Sequence, residues 1–477
     1  MSAAPESARG VDLKLGRWAL AILPAVAVWL LPIPEGITPA GWRLLAVFIA
    51  TILGSITRPM PGGAVVLLGV TAAAVTGALP VEQALRGYSD PVVWLVLAAF
   101  CISRSMISTG LGRRVALLFI RALGKNSLGL GYALVSTDWV LASAIPSNGA
   151  RSGGILFPIA RSIAETYDSR PGDTAKRLGA FLMILLYQCD VVVCAMFLTG
   201  QASNPLIAKL GQQTTGWTLD YSTWLLAALV PGLVSMLVVP WMLYKLYPPE
   251  LKETPEASAF AARELDRMGP PSSRERIMLL VFGLVAVLWM TTAFHHVDYA
   301  VVALLGVAVL LLSGVLTWEE VITERSAWDV FIWYGGLVRL ALALGEAGIT
   351  RKFAERAGSL TTGWPWWIAL TVLCLIYFFA HYGFASITAH ATSMLTPFLL
   401  VVMVAGAPPH LALLLLAFLS NLCASLTHYG TTPGPIYFGA GYVSQATWWR
   451  LGLMVALVNL AIWTALGPLW WRVIGFW

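Results

Sequence analysis

Pro146-Ser147-Asn148-Gly149-Ala150-Arg151-Ser152-Gly153-Gly154 (PSNGARSGG) interrupts a strongly apolar part of the chain. The break, Pro146 to Arg151, separates an apolar run at 129–145 from a second that continues to Ala164. Neither run is long enough to cross a bilayer core alone, which takes about 20 helical residues. Arg113, Arg114, Arg121 and Lys125 precede the pair, with no acid between Asp90 and Asp138, and Arg161, Arg170, Lys176 and Arg177 follow it. Clustered cations mark cytoplasmic segments, so both ends belong on one side of the membrane. The stretch 129–164 is predicted to be a re-entrant hairpin. Polar, irregular backbone at that depth survives only where it lines a cavity, which makes the tip a candidate binding site.

Working outward, apolar segments of spanning length lie near 18–32, 42–57, 61–79 and 92–109, four crossings that return the chain to the cytoplasmic side. The composition, 58% hydrophobic and 11% charged, excludes a soluble globule, since soluble chains carry roughly 25% charged residues. The modest net charge of +6 reports topology, and no nucleic-acid partner is expected. Cys101, Cys189, Cys194, Cys374 and Cys423 lie in apolar runs without metal-ligand spacing and read as small buried hydrophobes, so neither a metal nor another cofactor is expected. The N-terminus, with Arg9, Lys14 and Arg17 before an apolar run, reads as a retained first span.

A longer apolar run from 177 is interrupted at Thr199 to Asn204, and a plain span follows near 222–246. Segment 247–276 is charged, contains proline and shows no apolar periodicity, which suits a cytoplasmic linker. Beyond it the first half recurs. GLGRR from Gly110 has its counterpart in GITRK from Gly348, and Ser147 in Ser386, at nearly the same offset. The domains are therefore 1–41 (N-terminus and an extra span), 42–246 (first repeat), 247–276 (linker) and 277–477 (second repeat, with its own hairpin at 365–400). The extra first span makes the two copies enter from opposite sides. The expected fold is an all-α polytopic membrane protein of about 11 transmembrane helices plus two re-entrant hairpins in an inverted repeat. The N-terminus and linker are expected to be cytoplasmic and the C-terminus external. Arg351, Lys352 and Arg356 then face outward, against the charge bias.

Inverted repeats with paired interrupted helices are the recurring design of secondary transporters, whose sites sit where the breaks meet. There are four breaks: PSNGARSGG, TGQASNP from Thr199, HYGFASITAH from His381 and THYGTTPGPIYFG from Thr427. Hydroxyls, amides and helix starts dominate them, and a helix start favours an anion. A carboxylate is the natural ligand.

At these breaks the sequence resembles the divalent anion/sodium symporter family, in particular its exchanger branch of 2-oxoglutarate/malate and citrate/succinate translocators. The resemblance covers nearly the whole chain. It implies an antiporter, an anion permease of the cell membrane acting by alternating access on di- or tricarboxylates, and a homodimer. In the family, Ser-Asn-Thr tips hold substrate carboxylates. Ser147 and Asn148 match the first tip and Gly149 departs from its Thr; Ser386 and Thr388 match the second, with Ile387 where sodium-coupled members carry Asn. The broken helices add Thr199, Gly200 and Asn204 on one side, and Thr431, Thr432 and Pro433 on the other.

Arg151 and His390 each lie four residues past a tip serine, one helical turn on, where sodium-coupled relatives hold their cations. Ionisable groups at membrane depth usually mark function, and these two are expected to neutralise a dianion in place of sodium. The other reading is that they bind backbone carbonyls. Asp138 and Asp190 read as scaffold partners, since an acid lining an anion site would repel substrate; His428 either touches substrate or caps a half-helix. Trp463, Trp470, Trp471 and Trp477 read as interfacial anchors. The alternatives are a sodium-coupled symporter of the same fold, a carrier of sulfate or phosphate, a channel, or an intramembrane hydrolase with Ser147, His390 and Asp138 as its triad. No GxSxG or HExxH motif supports the last.

Overall fold

The computed structural model describes residues 6–143, 145–361 and 363–477; residue 144, inside the first hairpin's apolar arm, lies outside them. The described chain is all-helical. The first series comprises α1 (Glu6–Leu30), α2 (Pro39–Thr57), α3 (Gly62–Val75), the short α4 (Val81–Leu85), α5 (Pro91–Thr109), α6 (Leu111–Leu123), α7 (Ser127–Ala142), α8 (Phe157–Thr166), α9 (Gly179–Met196), α10 (Asn204–Thr215) and α11 (Tyr221–Leu246). After α12 (Pro255–Met268) come α13 (Ser273–Met290), the single turn α14 (Thr292–His295), α15 (Tyr299–Leu312), the short α16 (Trp318–Thr323), α17 (Arg325–Glu346) and α18 (Ile349–Gly358). The chain closes with α19 (Trp366–Ala380), α20 (Ile387–Val404), α21 (Pro409–Leu422), α22 (Pro433–Gly439) and α23 (Gln445–Val473). Long, short, long and interrupted helices follow one another in the same order on either side of α12.

Local chemistry sets the boundaries. Thr38 caps α2 by accepting from Gly41 N, Asp90 caps α5 ahead of Pro91 at its first position, and Asp220 caps α11. Gly110, at a φ of 81°, ends α5 in the left-handed conformation that lets α6 turn away. Among the described residues, nine helices are long and apolar enough to cross a membrane, and the shorter apolar helices include Gly62–Val75 and Tyr299–Leu312.

Burial sorts these helices into layers. Every residue of α9 is buried, and so is every residue of α21 from Leu411 onward. A helix apolar all round belongs in a protein interior, and the two that carry the breaks form the centre. The outer helices expose apolar side chains instead, such as Leu280 on α13, Leu312 on α15, Leu237 on α11 and Val473 on α23. So extensive an apolar exterior requires lipid rather than water around it.

Segment 247–276 departs from the expectation. It holds a 14-residue helix, α12, with Ala257, Ala261 and Leu265 buried along one stripe. A stripe built mainly of alanines is too weakly apolar to stand out among charges, although its four-residue spacing is helical. α12 lies against α6: Arg113 pairs with Glu264 at 2.7 Å, and Ser258 Oγ donates to Arg121 O at 2.7 Å. Arg114 binds Glu275 through two nitrogens, at 2.7 and 3.2 Å, and Gly269 O at 2.9 Å.

The same segment joins both ends of the first hairpin. Thr254 N donates to Lys125 O and Ser127 N to Lys252 O, while Glu250 N and Leu251 N donate to Lys176 O and Arg177 O. Ala257 N donates to Tyr167 Oη at 2.9 Å. The start of α7 and the chain beyond α8 therefore lie on one side of the molecule. Likewise, a Cβ on Gly406, beyond α20, would come 4.0 Å from Cβ of Trp366, the first residue of α19.

The C-terminal tryptophans also differ from expectation. Trp463 and Trp471 are buried, their indoles donating to Ser235 Oγ at 3.1 Å and Ala227 O at 2.8 Å, while Trp470 donates to Leu226 O at 2.7 Å. Pro231 inside α11 has no N–H for the carbonyl four residues earlier, which is that of Ala227. Trp471 thus repairs a helix and Trp463 packs inside the protein, rather than anchoring an interface; Trp477 remains at the surface.

Replacing Arg114 by Ala leaves Glu275 without its cation in a nearly closed environment. The expected cost is about 3 kcal/mol, read as a lowered unfolding temperature of purified protein, whereas Arg267→Ala, an exposed partner of Glu264, should leave it unchanged.

Candidate functional site

Four interruptions converge at the centre. α7 ends at Ala142 and helix resumes at Asn148, wound as a π-helix over Gly149–Leu156 before α8. The first break is thus shorter than the sequence implies, and Arg151 sits inside the wide turn. α19 passes through one 3-10 turn, His381–Gly383, and α20 begins after Ser386. α9 gives way to α10 across Phe197–Ser203, and α21, extended by the turn Cys423–Leu426, gives way to α22 across Thr427–Thr432.

Broken helices inside a membrane must satisfy the carbonyls they release. Asn204 Nδ2 donates to Cys194 O and Phe197 O at the end of α9, and Thr199 Oγ1 lies within 3.0 Å of Ala142 O and Ser143 O at the end of α7. Across the halves, Tyr187 Oη on α9 meets Ala424 O and Thr427 O at 2.7 and 2.8 Å, and Asn421 on α21 donates to Asn204 Oδ1 at 3.0 Å. Thr199 and Asn204 serve the scaffold, and neither lines the cavity described below. A Cβ on Gly200 would fall 2.5 Å from Cys194 O, so its side-chain-free backbone packs directly on α9. Pro433 is the buried first residue of α22, also behind the wall.

Arg151 fastens the first tip. Nε donates to Asp138 Oδ1 at 2.6 Å; Nη1 donates to Ile145 O and Gly200 O, both at 2.8 Å; Nη2 donates to Asp190 Oδ1 at 3.2 Å and contacts Cys194 Sγ at 3.5 Å. All five guanidinium donors are engaged and the residue is fully buried. The expectation that Arg151 neutralises substrate is therefore corrected: Asp138 and Asp190 already answer its charge. His390 is corrected too. It is buried among Tyr377, His381 and Cys423, with its ring 4.3 Å from that of Tyr377, and does not face the cavity. His428 accepts from Trp449 Nε1 at 3.0 Å and stacks on Phe438, away from the tips.

The remaining candidates meet in one cavity of about 730 Å3, whose wall includes Ser147, Asn148, Gly149, Ser386, Thr388, Thr431 and Thr432. The two tips use the same device. Ser147 Oγ accepts from Ala150 N at 3.1 Å, and Ser386 Oγ accepts from Ala389 N at 3.4 Å. Each serine caps a helix start, and the first residues of both helices, Asn148 and Gly149 in one and Ile387 and Thr388 in the other, line the cavity. Asn148 behaves differently from expectation: Nδ2 donates to Thr431 Oγ1 at 2.9 Å and lies 3.5 Å from Asp190 Oδ2, tying the first tip to the second broken helix. A Cβ on Gly149 would come 2.8 Å from Thr432 Cγ2, so this close approach accounts for glycine at the third tip position.

Sequence reasoning missed the charges in the wall: Arg58 and Arg104 with Glu324 and Asp329. Arg58 is left-handed at the end of α2 and donates to Ala385 O, beside the second tip, at 2.6 Å. Asp329 Oδ1 accepts from Gly63 N at 3.1 Å. Arg104 carried a readable signal, a lone cation inside the apolar run 92–109.

Interrupted helices that meet around a central cavity in a polytopic helical protein are the arrangement of a membrane transporter. The chain belongs to the family described as the sodium:sulfate symporter transmembrane region, whose model matches residues 14–477. This agrees with the resemblance to the divalent anion/sodium symporters read from the breaks. The chain is 44% identical over the full length of both proteins to YflS of Bacillus subtilis, which carries a malate-transporter assignment. It is 44% identical to the chloroplastic dicarboxylate transporter 1 of Arabidopsis thaliana, over 96% of this chain and 82% of that one. To the L-tartrate/succinate antiporter of Escherichia coli it is 34% identical, over 95% and 97% of the two chains. The crystal structure of the YdaH transporter of Alcanivorax borkumensis shares the fold with a TM-score of 0.51 over 99% of both chains, at 13% identity.

Arg151→Gln strands two buried carboxylates and should destabilise the protein by roughly 3–5 kcal/mol. Thermal unfolding of the purified variant checks this; unchanged stability with only weaker substrate binding would return Arg151 to the substrate site.

Proposed function

We propose that this protein exchanges small dicarboxylates across the plasma membrane by alternating access. One observation carries the reading: two serine-capped helix starts, from corresponding places in the two halves, open into a single cavity. A helix start supplies free amides and the positive end of a dipole, so each tip suits one carboxylate and the pair suits a dianion. Arg58 and Arg104 add cations to the wall, beside the acids Glu324 and Asp329. The relatives' malate, dicarboxylate and tartrate/succinate substrates belong to the same chemical class. α7 with α8, and α19 with α20, serve as the re-entrant hairpins, and the second series runs through the membrane inverted relative to the first. The joined ends of the first hairpin support this arrangement, with the N-terminus and α12 cytoplasmic, the C-terminus external, and a homodimer as the working assembly.

Returning without substrate, the carrier would leave the donors at both tips unpartnered, at a cost of roughly 1–3 kcal/mol for each such group, which favours exchange over leak. Proteoliposomes preloaded with succinate or malate should release it about a hundredfold faster when dicarboxylate is present outside, with no sodium added. Release that requires a sodium gradient would select the symporter; equal leak into empty buffer would exclude obligatory exchange. Ser386→Asp tests the tip itself. Aspartate preserves the helix cap but adds a negative charge, so stability should hold while exchange disappears. Wild-type exchange in that variant would remove the second tip from the site.

A further inference from the structure

Beneath the second tip, three segments bring together side chains that the transport reading does not use. His381 lies in the 3-10 turn ending α19, His390 lies one turn into α20, and Cys423 begins the turn ending α21. All three are fully buried, and their ligand-type atoms lie within 4.8 Å of one another. Cys423 was expected to be an inert hydrophobe because no ligand spacing surrounds it in sequence; the fold supplies the neighbours.

His381 is arranged as a metal ligand is. His381 Nε2 lies 3.1 Å from Gly430 O, and since a carbonyl only accepts, that nitrogen carries the proton and Nδ1 presents its lone pair. Nδ1 has no hydrogen-bond partner although it is buried. A backbone carbonyl holding the far nitrogen is the usual orienting contact of a metal-bound histidine. His390 Nδ1 faces Cys423 Sγ at 3.7 Å, and its other nitrogen is also without a partner. Tyr377 stacks on His390 and is itself fixed through its hydroxyl, 2.7 Å from Ser420 Oγ. The unpartnered lone pair of His381 Nδ1 is costly for a purely structural cluster.

We propose that His381, His390 and Cys423 form a binding site for a soft divalent cation of the zinc class. One thiolate and two neutral imidazoles match zinc and leave a fourth position open, whereas sodium, calcium and magnesium require oxygen donors that the trio lacks. Binding replaces the Cys423 S–H bond by a sulfur–metal bond and releases that proton to solvent, leaving the ion and its ligands with a net single positive charge. Closing the ligands around the ion requires movements of about 1 Å. The bound ion would join the second hairpin to the end of α21. This inference is independent of which anion is carried.

The test uses untagged, chelator-stripped protein titrated with Co2+ and then Zn2+. Wild type and Cys374→Ser, which alters a buried cysteine outside the trio, should develop thiolate-to-cobalt absorption that zinc abolishes, retain one zinc per chain after dialysis, and unfold at higher temperature with zinc. Cys423→Ser and His381→Asn should lose the absorption and the thermal shift, with zinc affinity reduced about a hundredfold or more. Their unfolding temperatures without metal report whether the substitution alone disturbs the fold. Stripped wild type that takes up no zinc, or folded Cys423→Ser that binds it as wild type does, overturns the proposal.

Discussion

The guanidinium of Arg151 is the contact on which the central architecture depends. In a membrane interior, a hairpin tip with free carbonyls and a broken helix with free carbonyls are each unfavourable alone. One side chain serves both, through Ile145 O and Gly200 O, and anchors them to the central helix α9 and the arm α7 by two carboxylates. The breaks can then remain irregular at depth without exposing backbone to lipid, and their polar groups are free to line a cavity.

Around that anchor, the two halves complete one another. Tyr187 meets carbonyls at the end of α21 and at Thr427 beyond it, Asn421 on α21 reaches Asn204 at the start of α10, and Asn148 holds the first tip to Thr431. At each of these points one half supplies a group that the other binds. Substitutions at these residues should therefore affect both tips together, whichever half they occupy.

The membrane segments were legible because they are read by length, hydropathy and charge, which are local properties. The interruptions in the apolar runs followed from such patterns, whereas Ser147, Ser386 and Thr431 were singled out through the family resemblance. Orientation was not legible. Spacing placed Arg151 and His390 one turn past the tips, but a turn has an inner and an outer side, and only packing against Asp138, Asp190 and Tyr377 decides which is used. Arg104 was readable as a lone cation in an apolar run, but that it and Arg58 reach one cavity depends on the meeting of distant helices, which no sequence distance encodes.

The repair of α11 bears on how the protein is made. Pro231 leaves Ala227 O without its helical partner, and the donor that replaces it, Trp471, lies 244 residues later. While the chain is being inserted, α11 is delivered to the bilayer long before that indole exists. Until α23 arrives, a carbonyl must be held by water, lipid headgroup or an insertion factor. The last helix thus acts as a seal on an earlier one, and assembly of the outer layer can finish only after synthesis has nearly ended.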